Sequence, residues 1–138
     1  MANFLAPLSI LKMTKYLDSQ YVHFELREDL LICTYKKGLK LNLEMVKEIV
    51  KTRLEFINYN PTLVIIYNAG VVSMDKQARD YLSSAEGVRG CIAAAIVLDS
   101  AFSSFLGNFF LSVTKPKIPA RIFSQTEEAL KWLNKFRK

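Results

Sequence analysis

The chain has 138 residues, of which 51% are hydrophobic and 23% are charged. These values are typical of a globular protein with one hydrophobic core, and they argue against a disordered chain and against two large domains. The net charge of +6 is spread along the chain without a basic stripe that contains stacking aromatics, so nucleic acid is not expected as a partner.

The first part of the chain contains a segment whose structure the sequence leaves open. Residues 1–20 have weak helical spacing without a good cap, and a short helix, an added strand or a dimer arm are alternatives. We treat them as an extension and residues 21–138 as the domain. Residues 21–26 alternate with period two, a polar turn follows, and residues 30–35 are a second predicted strand. The two strands are expected to pair as a hairpin.

A helix, a strand and a short helix are predicted next. Asn42 can cap the first helix, whose apolar side chains recur at helical spacing until Pro61 ends the pattern. These apolar side chains are Val46, Ile49, Val50, Leu54 and Ile57. Residues 63–67 are a β-branched run, which is typical of a central strand. Ser73 is expected to cap the short helix that follows.

Residues 91–98 are the strongest indication of the architecture. They are apolar without alternation, as in a strand that is buried on both faces of a parallel or mixed sheet. A helix over 101–113, an edge strand over 120–123 and an amphipathic closing helix are predicted after it. The order predicts a single α/β domain: a five-stranded mixed sheet, an N-terminal hairpin followed by β-α units, covered by about four helices.

Three segments of the chain carry a resemblance to a known family. They read FELRED at 24–29, QARDYL at 77–82 and LDSAFSSFLGNFFLSVTKPKIPARIFSQTEEALKWL at 98–133. The chain resembles the SpoIIAA-like (STAS-type) domain family, specifically an uncharacterised bacterial branch, and it is distantly similar to CRAL-TRIO lipid-binding domains. The resemblance implies a small α/β domain that acts through protein contacts, and some members of the wider family bind nucleotide or lipid.

Ser73 is the residue to which the resemblance assigns a candidate role. Some SpoIIAA-like proteins are anti-sigma-factor antagonists that are switched by phosphorylation of a serine at the start of the helix after the third strand. Ser73 occupies the matching position, although the Asp-Ser-Ser-Gly string of those proteins is absent. Ser73 is therefore a candidate phosphosite, with the role of a simple helix N-cap as the favoured alternative.

Polar and small residues follow two of the predicted parallel strands. Ligands of open α/β sheets bind beyond the carboxyl ends of the strands, where helix N-termini present free amides. This rim would contain Asn68, Gly70, Ser73, Ser100 and Ser103. These residues are candidates for binding an anion or a polar headgroup, and the alternative is that they cap helices and satisfy turns.

The predicted helix over 101–113 has more apolar surface than a helix on a sheet requires. Its aromatic side chains at Phe102, Phe105, Phe109 and Phe110 occupy more than one face. The surplus predicts cover by the N-terminal segment, by a second subunit or by an apolar ligand. Gly107 in the middle of this helix predicts a close approach of another backbone.

The sequence contains no motif of a known catalytic or metal site. Cys33 and Cys91 have no CxxC spacing and are expected to be reduced thiols, and His23 has no partner at an informative spacing. We therefore expect neither an enzyme nor a cofactor. No apolar run reaches membrane-spanning length and the N-terminus lacks a signal-peptide pattern, so we expect a cytoplasmic protein that is not an integral membrane protein.

The preferred functional interpretation is a non-enzymatic regulatory or protein-interaction domain that acts as a homodimer with an unidentified protein partner. The alternative is a small carrier or sensor that binds a lipid-like apolar ligand between the aromatic helix and the sheet.

Overall fold

The computed structural model describes residues 14–99, 107–108, 111 and 114–137. Its strands are β1 (Thr14–Asp18), β2 (Val22–Arg27), β3 (Leu30–Tyr35), β4 (Leu39–Leu41), β5 (Thr62–Tyr67), β6 (Val71–Met74), β7 (Cys91–Val97) and β8 (Ala120–Phe123). Its helices with both ends described are α1 (Leu43–Phe56), α2 (Lys76–Ser83) and α3 (Thr126–Asn134).

The main sheet has six strands in the order β1-β2-β3-β5-β7-β8. The pairs β1–β2 and β2–β3 are antiparallel, and the remaining neighbours are parallel. Strands β4 and β6 form a separate two-stranded parallel sheet. The predicted α/β class, the mixed sheet and the hairpin at 21–35 are therefore confirmed.

The prediction of a five-stranded sheet was wrong, because β1 adds a sixth strand at the edge. Thr14–Asp18 alternates only weakly and four of its five residues are exposed, so no apolar stripe marks it in the sequence. The prediction of about four helices compares with three complete helices in the part of the chain that is described. The fourth, over 101–113, lies mostly outside the described residues, of which Gly107, Asn108 and Leu111 are helical.

Helices cover both faces of the sheet. One face packs against α1 and α2, with Phe24, Leu31 and Val64 fully buried in between. The other face packs against α3 through Ala129 and Leu133. Because the sheet strands β5 and β7 are covered on both sides, their sequences are continuous apolar runs rather than alternating ones.

The sequence predicted the N-cap residue of α1 correctly and that of α2 incorrectly. Asn42 caps α1 as expected, and its Oδ1 accepts a hydrogen bond from the Met45 amide at 2.9 Å. Ser73 does not cap α2, because it lies in β6 opposite Lys40. Asp75 is the cap, and its Oδ1 accepts from the Ala78 amide at 2.8 Å. A carboxylate in this position also interacts favourably with the positive end of the helix dipole.

Two helical residues dock closely on β8, the last strand of the sheet. The Asn108 side chain donates from Nδ2 to the Ile122 carbonyl at 2.9 Å and accepts from the Ile122 amide at 2.8 Å. At Gly107, an added Cβ would lie 2.2 Å from Ile122 Cδ1. The sequence predicted a close approach at Gly107, but the group that approaches is a side chain of the same domain and not a backbone.

Candidate ligand cavity

A cavity of about 310 Å³ lies between the sheet and the helices that cover its first face. Its floor follows one register row of the sheet, in which neighbouring residues of five strands stand side by side. The row consists of Phe24, Cys33, Ile66, Ile96 and Ile122. A second row adds Val64, Ala94 and Ala120 to the lining.

Small side chains in the second row help to explain the open space. Ala94 and Ala120 are register partners on β7 and β8, and each offers only a methyl group to the cavity. On the opposite face of β7, Ala93 and Ala95 are fully buried against the layer that contains α3. Alanine therefore permits close packing on one face of the strand and leaves room on the other.

Helices α1 and α2, the helical residue Leu111 and two connecting segments form the roof of the cavity. The apolar part of the roof comes from Ile49, Val50, Leu82, Val88, Leu111, Pro116 and Ile118. The polar side chains from the helices are Arg53 on α1 with Arg79 and Ser83 on α2. Arg79 is exposed to solvent, which places it at the outer side of the cavity.

Arg53 is a buried cation at the wall of this cavity. Only 5% of the residue is exposed. Its Nη1 donates to the Arg89 carbonyl at 2.8 Å, and its Nη2 donates to the Gly87 carbonyl at 3.1 Å. Among the described residues, no carboxylate oxygen lies within 4.0 Å of its guanidinium. Two backbone dipoles thus orient the guanidinium, and its positive charge has no acidic partner there.

The segment that contains Gly87 and Arg89, whose carbonyls accept hydrogen bonds from Arg53, packs closely against α2. A Cβ at Gly87 would lie 2.0 Å from the Tyr81 carbonyl oxygen, so only glycine fits at this position. The Ser84 hydroxyl accepts from the Gly87 amide at 3.2 Å. The turn is consequently fixed with the Gly87 carbonyl directed toward Arg53.

The thiols of Cys33 and Cys91 and the hydroxyl of Tyr35, which also line the cavity, are neutral in the physiological range. Burial raises the pKa of the Cys33 thiol and of the Tyr35 hydroxyl, and the Arg53 charge opposes this only in part. Burial also raises the pKa of the Cys91 thiol, against the opposing effects of the nearby Arg53. Both cysteines are free thiols. A thiol with a raised pKa is a poor nucleophile, because the thiolate is the reactive form.

Asn68 is the one predicted rim residue that lines the cavity within the described part of the chain. Its Oδ1 is buried without a hydrogen-bond partner there. Gly70 packs elsewhere, since its carbonyl accepts from the Gly38 amide at 2.8 Å and a Cβ would lie 2.6 Å from the Lys36 carbonyl oxygen. Ser73 is exposed on β6 and does not line the cavity. Its phosphorylation stays a prediction.

The six remaining predicted site residues lie outside the described part of the chain. They are Ser100 and Ser103 of the rim and the aromatic residues Phe102, Phe105, Phe109 and Phe110. His23 is described and faces away from the cavity, with Nδ1 3.6 Å from an Asp18 carboxylate oxygen at the exposed hairpin.

The position of Arg53 in the sequence indicates that its charge is buried, although Arg53 is absent from the predicted site residues. Arg53 lies four residues after Ile49 and three after Val50, which places it on the apolar stripe of α1. A cation within an apolar stripe is a buried charge, and a buried charge requires a compensating partner. The stripe was interpreted from its apolar members alone, and Arg53 was overlooked.

These features define an α/β domain of SpoIIAA-like fold with an apolar cavity between the sheet and its covering helices. A solved structure supports the fold: an uncharacterised protein of the DUF3478 family from Shewanella loihica PV-4, described as having a SpoIIAA-like fold. It is 14% identical in sequence, with a TM-score of 0.53 over 87% of this chain and 91% of that one. The resemblance to SpoIIAA-like domains is thus confirmed at the level of the fold, and the distant similarity to CRAL-TRIO domains stays a prediction.

The chain belongs to the family described as Domain of unknown function (DUF7793), whose model matches residues 24–137. No curated protein matches it. None of the described helices is long and apolar enough to cross a membrane.

Proposed function

We propose that this protein is a non-enzymatic binding domain that takes up a small lipid-like molecule between the sheet and its covering helices. The observation that carries the proposal is the cavity of about 310 Å³ with a largely apolar lining. A dry apolar cavity of about 150 Å³ accommodates benzene, so the space here suits a ligand of roughly a dozen heavy atoms. Ligand pockets typically begin at about 300 Å³.

Binding is also energetically reasonable for this cavity. Side chains that line a void lose dispersion contacts on one side, and an apolar ligand restores those contacts. Each methylene group removed from water contributes about 0.8 kcal/mol. Burial of a chain of about ten carbons therefore contributes enough free energy to offset the free-energy cost of the entropy lost on binding.

The chemistry of the lining favours binding over catalysis. The thiols of Cys33 and Cys91 and the hydroxyl of Tyr35 are kept neutral by burial, and His23 lies away from the cavity. Among the described residues, no group of three or more histidine, cysteine or acidic side chains could hold a metal ion. The domain is accordingly proposed to sense or carry its ligand without transforming it.

We further propose that the ligand-binding domain acts through protein contacts in the cytoplasm, as a homodimer that engages a protein partner. The support is the resemblance to SpoIIAA-like proteins and the presence of exposed apolar side chains on both faces of the edge strand β1, where Tyr16 is 62% exposed and Leu17 is 36% exposed. Light scattering after size exclusion, at micromolar concentrations, tests the dimer. A strict monomer would contradict it.

Isothermal titration with 1-decanol tests the binding function. We expect saturable binding of one molecule per chain to the wild-type protein. Ala94→Phe should abolish binding because the ring fills the cavity, whereas Ile92→Phe should not, because Ile92 on the same strand is 40% exposed and lies outside the lining. Absence of binding to the wild-type protein, or equal binding to both variants, would contradict the proposed function.

A further inference from the structure

We infer that the ligand of the cavity is an anionic amphiphile, with a carboxylate head that binds the Arg53 guanidinium and an apolar tail along the sheet. The inference rests on the proposed function and specifies the chemical class of the ligand.

Arg53 has donors to spare for such a head group. A guanidinium carries five N–H donors in a planar fork. The described residues use one on the Arg89 carbonyl and one on the Gly87 carbonyl, and the Cys91 thiol lies beside the same guanidinium as a further partner, which leaves two donors. The two bonds to carbonyls hold the fork in a fixed orientation at the cavity wall. A carboxylate can accept two parallel hydrogen bonds from such a fork, which makes arginine the preferred partner for this group.

The charge balance of the cavity points to the same class of ligand. The lining contains two arginines, Arg53 and Arg79, and no aspartate or glutamate among the residues that the structure describes. A buried cation is costly unless an anion or a set of dipoles compensates it. Backbone carbonyls provide part of this compensation for Arg53, and a ligand carboxylate would provide a full opposite charge.

Arg53 is a better candidate for the head group than Arg79. Arg79 is exposed, so water screens its charge and weakens any ion pair that it forms. Arg53 is only 5% exposed and is surrounded by apolar side chains, where the same pair is stronger. The two arginines line one cavity and differ in burial, so each serves as the control for the other.

The experiment compares decanoate with 1-decanol, which have the same chain and differ in the charge of the head. In the wild-type protein at pH 7.5 we expect decanoate to bind at least about tenfold more tightly, as for a charge-assisted hydrogen-bonded pair. Arg53→Met should remove this preference, so that decanoate binds this variant no more tightly than decanol does. Arg79→Met should retain most of the preference.

Two outcomes overturn the inference while the proposed function stands. One is equal binding of decanoate and decanol to the wild-type protein. The other is a preference that survives Arg53→Met and is lost in Arg79→Met, which would place the head group at the outer arginine. If neither probe binds to the folded wild-type protein, the proposed function itself fails.

A measurement on the unaltered protein covers the case in which Arg53→Met does not fold. In a nitrogen–proton NMR spectrum of the arginine side chains, decanoate should shift the Nε–H resonance of Arg53 and decanol should not. The Nε–H resonance of Arg79 should move less than that of Arg53. A shift of Arg79 alone, or no arginine shift on saturation with decanoate, would contradict the inference.

Discussion

The side-chain amide of Asn108 makes two hydrogen bonds to the backbone of a single residue, Ile122, on the last strand of the sheet. Because β8 is an edge strand, the amide and carbonyl of Ile122 that point away from β7 would otherwise lack a strand partner. Asn108 occupies the place of the missing strand at this point. It also attaches helical residues beside the cavity to the sheet, next to Gly107 and Leu111 in the cavity lining.

We expect Asn108→Ala to destabilise the fold by about 1–3 kcal/mol, because it leaves a partly buried amide and carbonyl of Ile122 unpaired. Urea denaturation followed by circular dichroism measures the change. Asn60→Ala is the matched control, since Asn60 is exposed in the loop between α1 and β5. An Asn108→Ala variant as stable as this control would contradict the importance of the pair.

The effect of Gly107→Ala on the free energy of unfolding should depend on the size of residue 122, which lies opposite it. In the wild-type background the new Cβ meets Ile122 Cδ1 at 2.2 Å, so we expect destabilisation. Ile122→Val removes that Cδ1 atom. In this background alanine should stabilise the protein by up to about 1 kcal/mol, from its higher helix propensity. A double-mutant cycle measures the coupling, and additive effects would refute the contact.

Substituting leucine for either of two neighbouring alanines on β7 should affect the stability of the protein differently. Ala94 lines the cavity and Ala95 is fully buried on the other face of the sheet. Ala94→Leu should be tolerated or stabilising because it fills empty space. Ala95→Leu should cost about 1–3 kcal/mol because it overpacks the layer under α3. Thermal unfolding of both variants checks this, and equal losses would indicate that no usable space exists beside Ala94.

The ion pair between Asp29 and Arg137 predicts a pH dependence of stability. Arg137 Nε and Nη2 each donate to the Asp29 carboxylate at 2.9 Å, which joins the hairpin turn to the end of the chain beyond α3. Hydrogen bonding to Arg137 holds the pKa of Asp29 below its ordinary value of 3.8. The stabilisation is therefore complete above about pH 4–5, and it is lost as the pH falls through the lowered pKa.

Asp29→Asn should accordingly lower the free energy of unfolding at pH 7 by up to about 1 kcal/mol, the range of an exposed pair. The difference from the wild type should decrease as the pH falls from 7 to 2, through the lowered pKa of Asp29. Urea titrations at both pH values measure it, with Glu48→Gln on the exposed side of α1 as the control for removing a surface charge. A difference of the same size at both pH values would be inconsistent with this pair.

The central elements of the fold were predictable because burial shapes their sequences. The uninterrupted apolar runs of β5 and β7 indicate strands covered on both faces, and Asn42 before an apolar helical pattern indicates a capped helix. The marginal strands were not predictable in this way. β4 and β6 have only three and four residues, which is too short for a period to be visible.

The cavity depends on relationships that are not local in sequence. Its floor joins residues of five strands in one register row, from Phe24 to Ile122. The predicted rim at the carboxyl ends of the strands includes Asn68, whereas most of the cavity lining lies along the face of the sheet. The burial of Arg53 was predictable from the sequence, because Arg53 is a charge on the apolar stripe of α1. Its hydrogen-bond acceptors, the carbonyls of Gly87 and Arg89, were not predictable, because they lie more than thirty residues away in the sequence.

Isoleucine-methyl NMR during a titration with 1-decanol tests most directly whether the cavity takes up a ligand. The chain offers probes on both sides of the sheet: Ile49, Ile66, Ile96 and Ile118 line the cavity, and Ile32, Ile65 and Ile92 do not. We expect saturable shifts of the first group and static resonances in the second. Shifts confined to the second group, or spread equally over both, would contradict binding within the cavity.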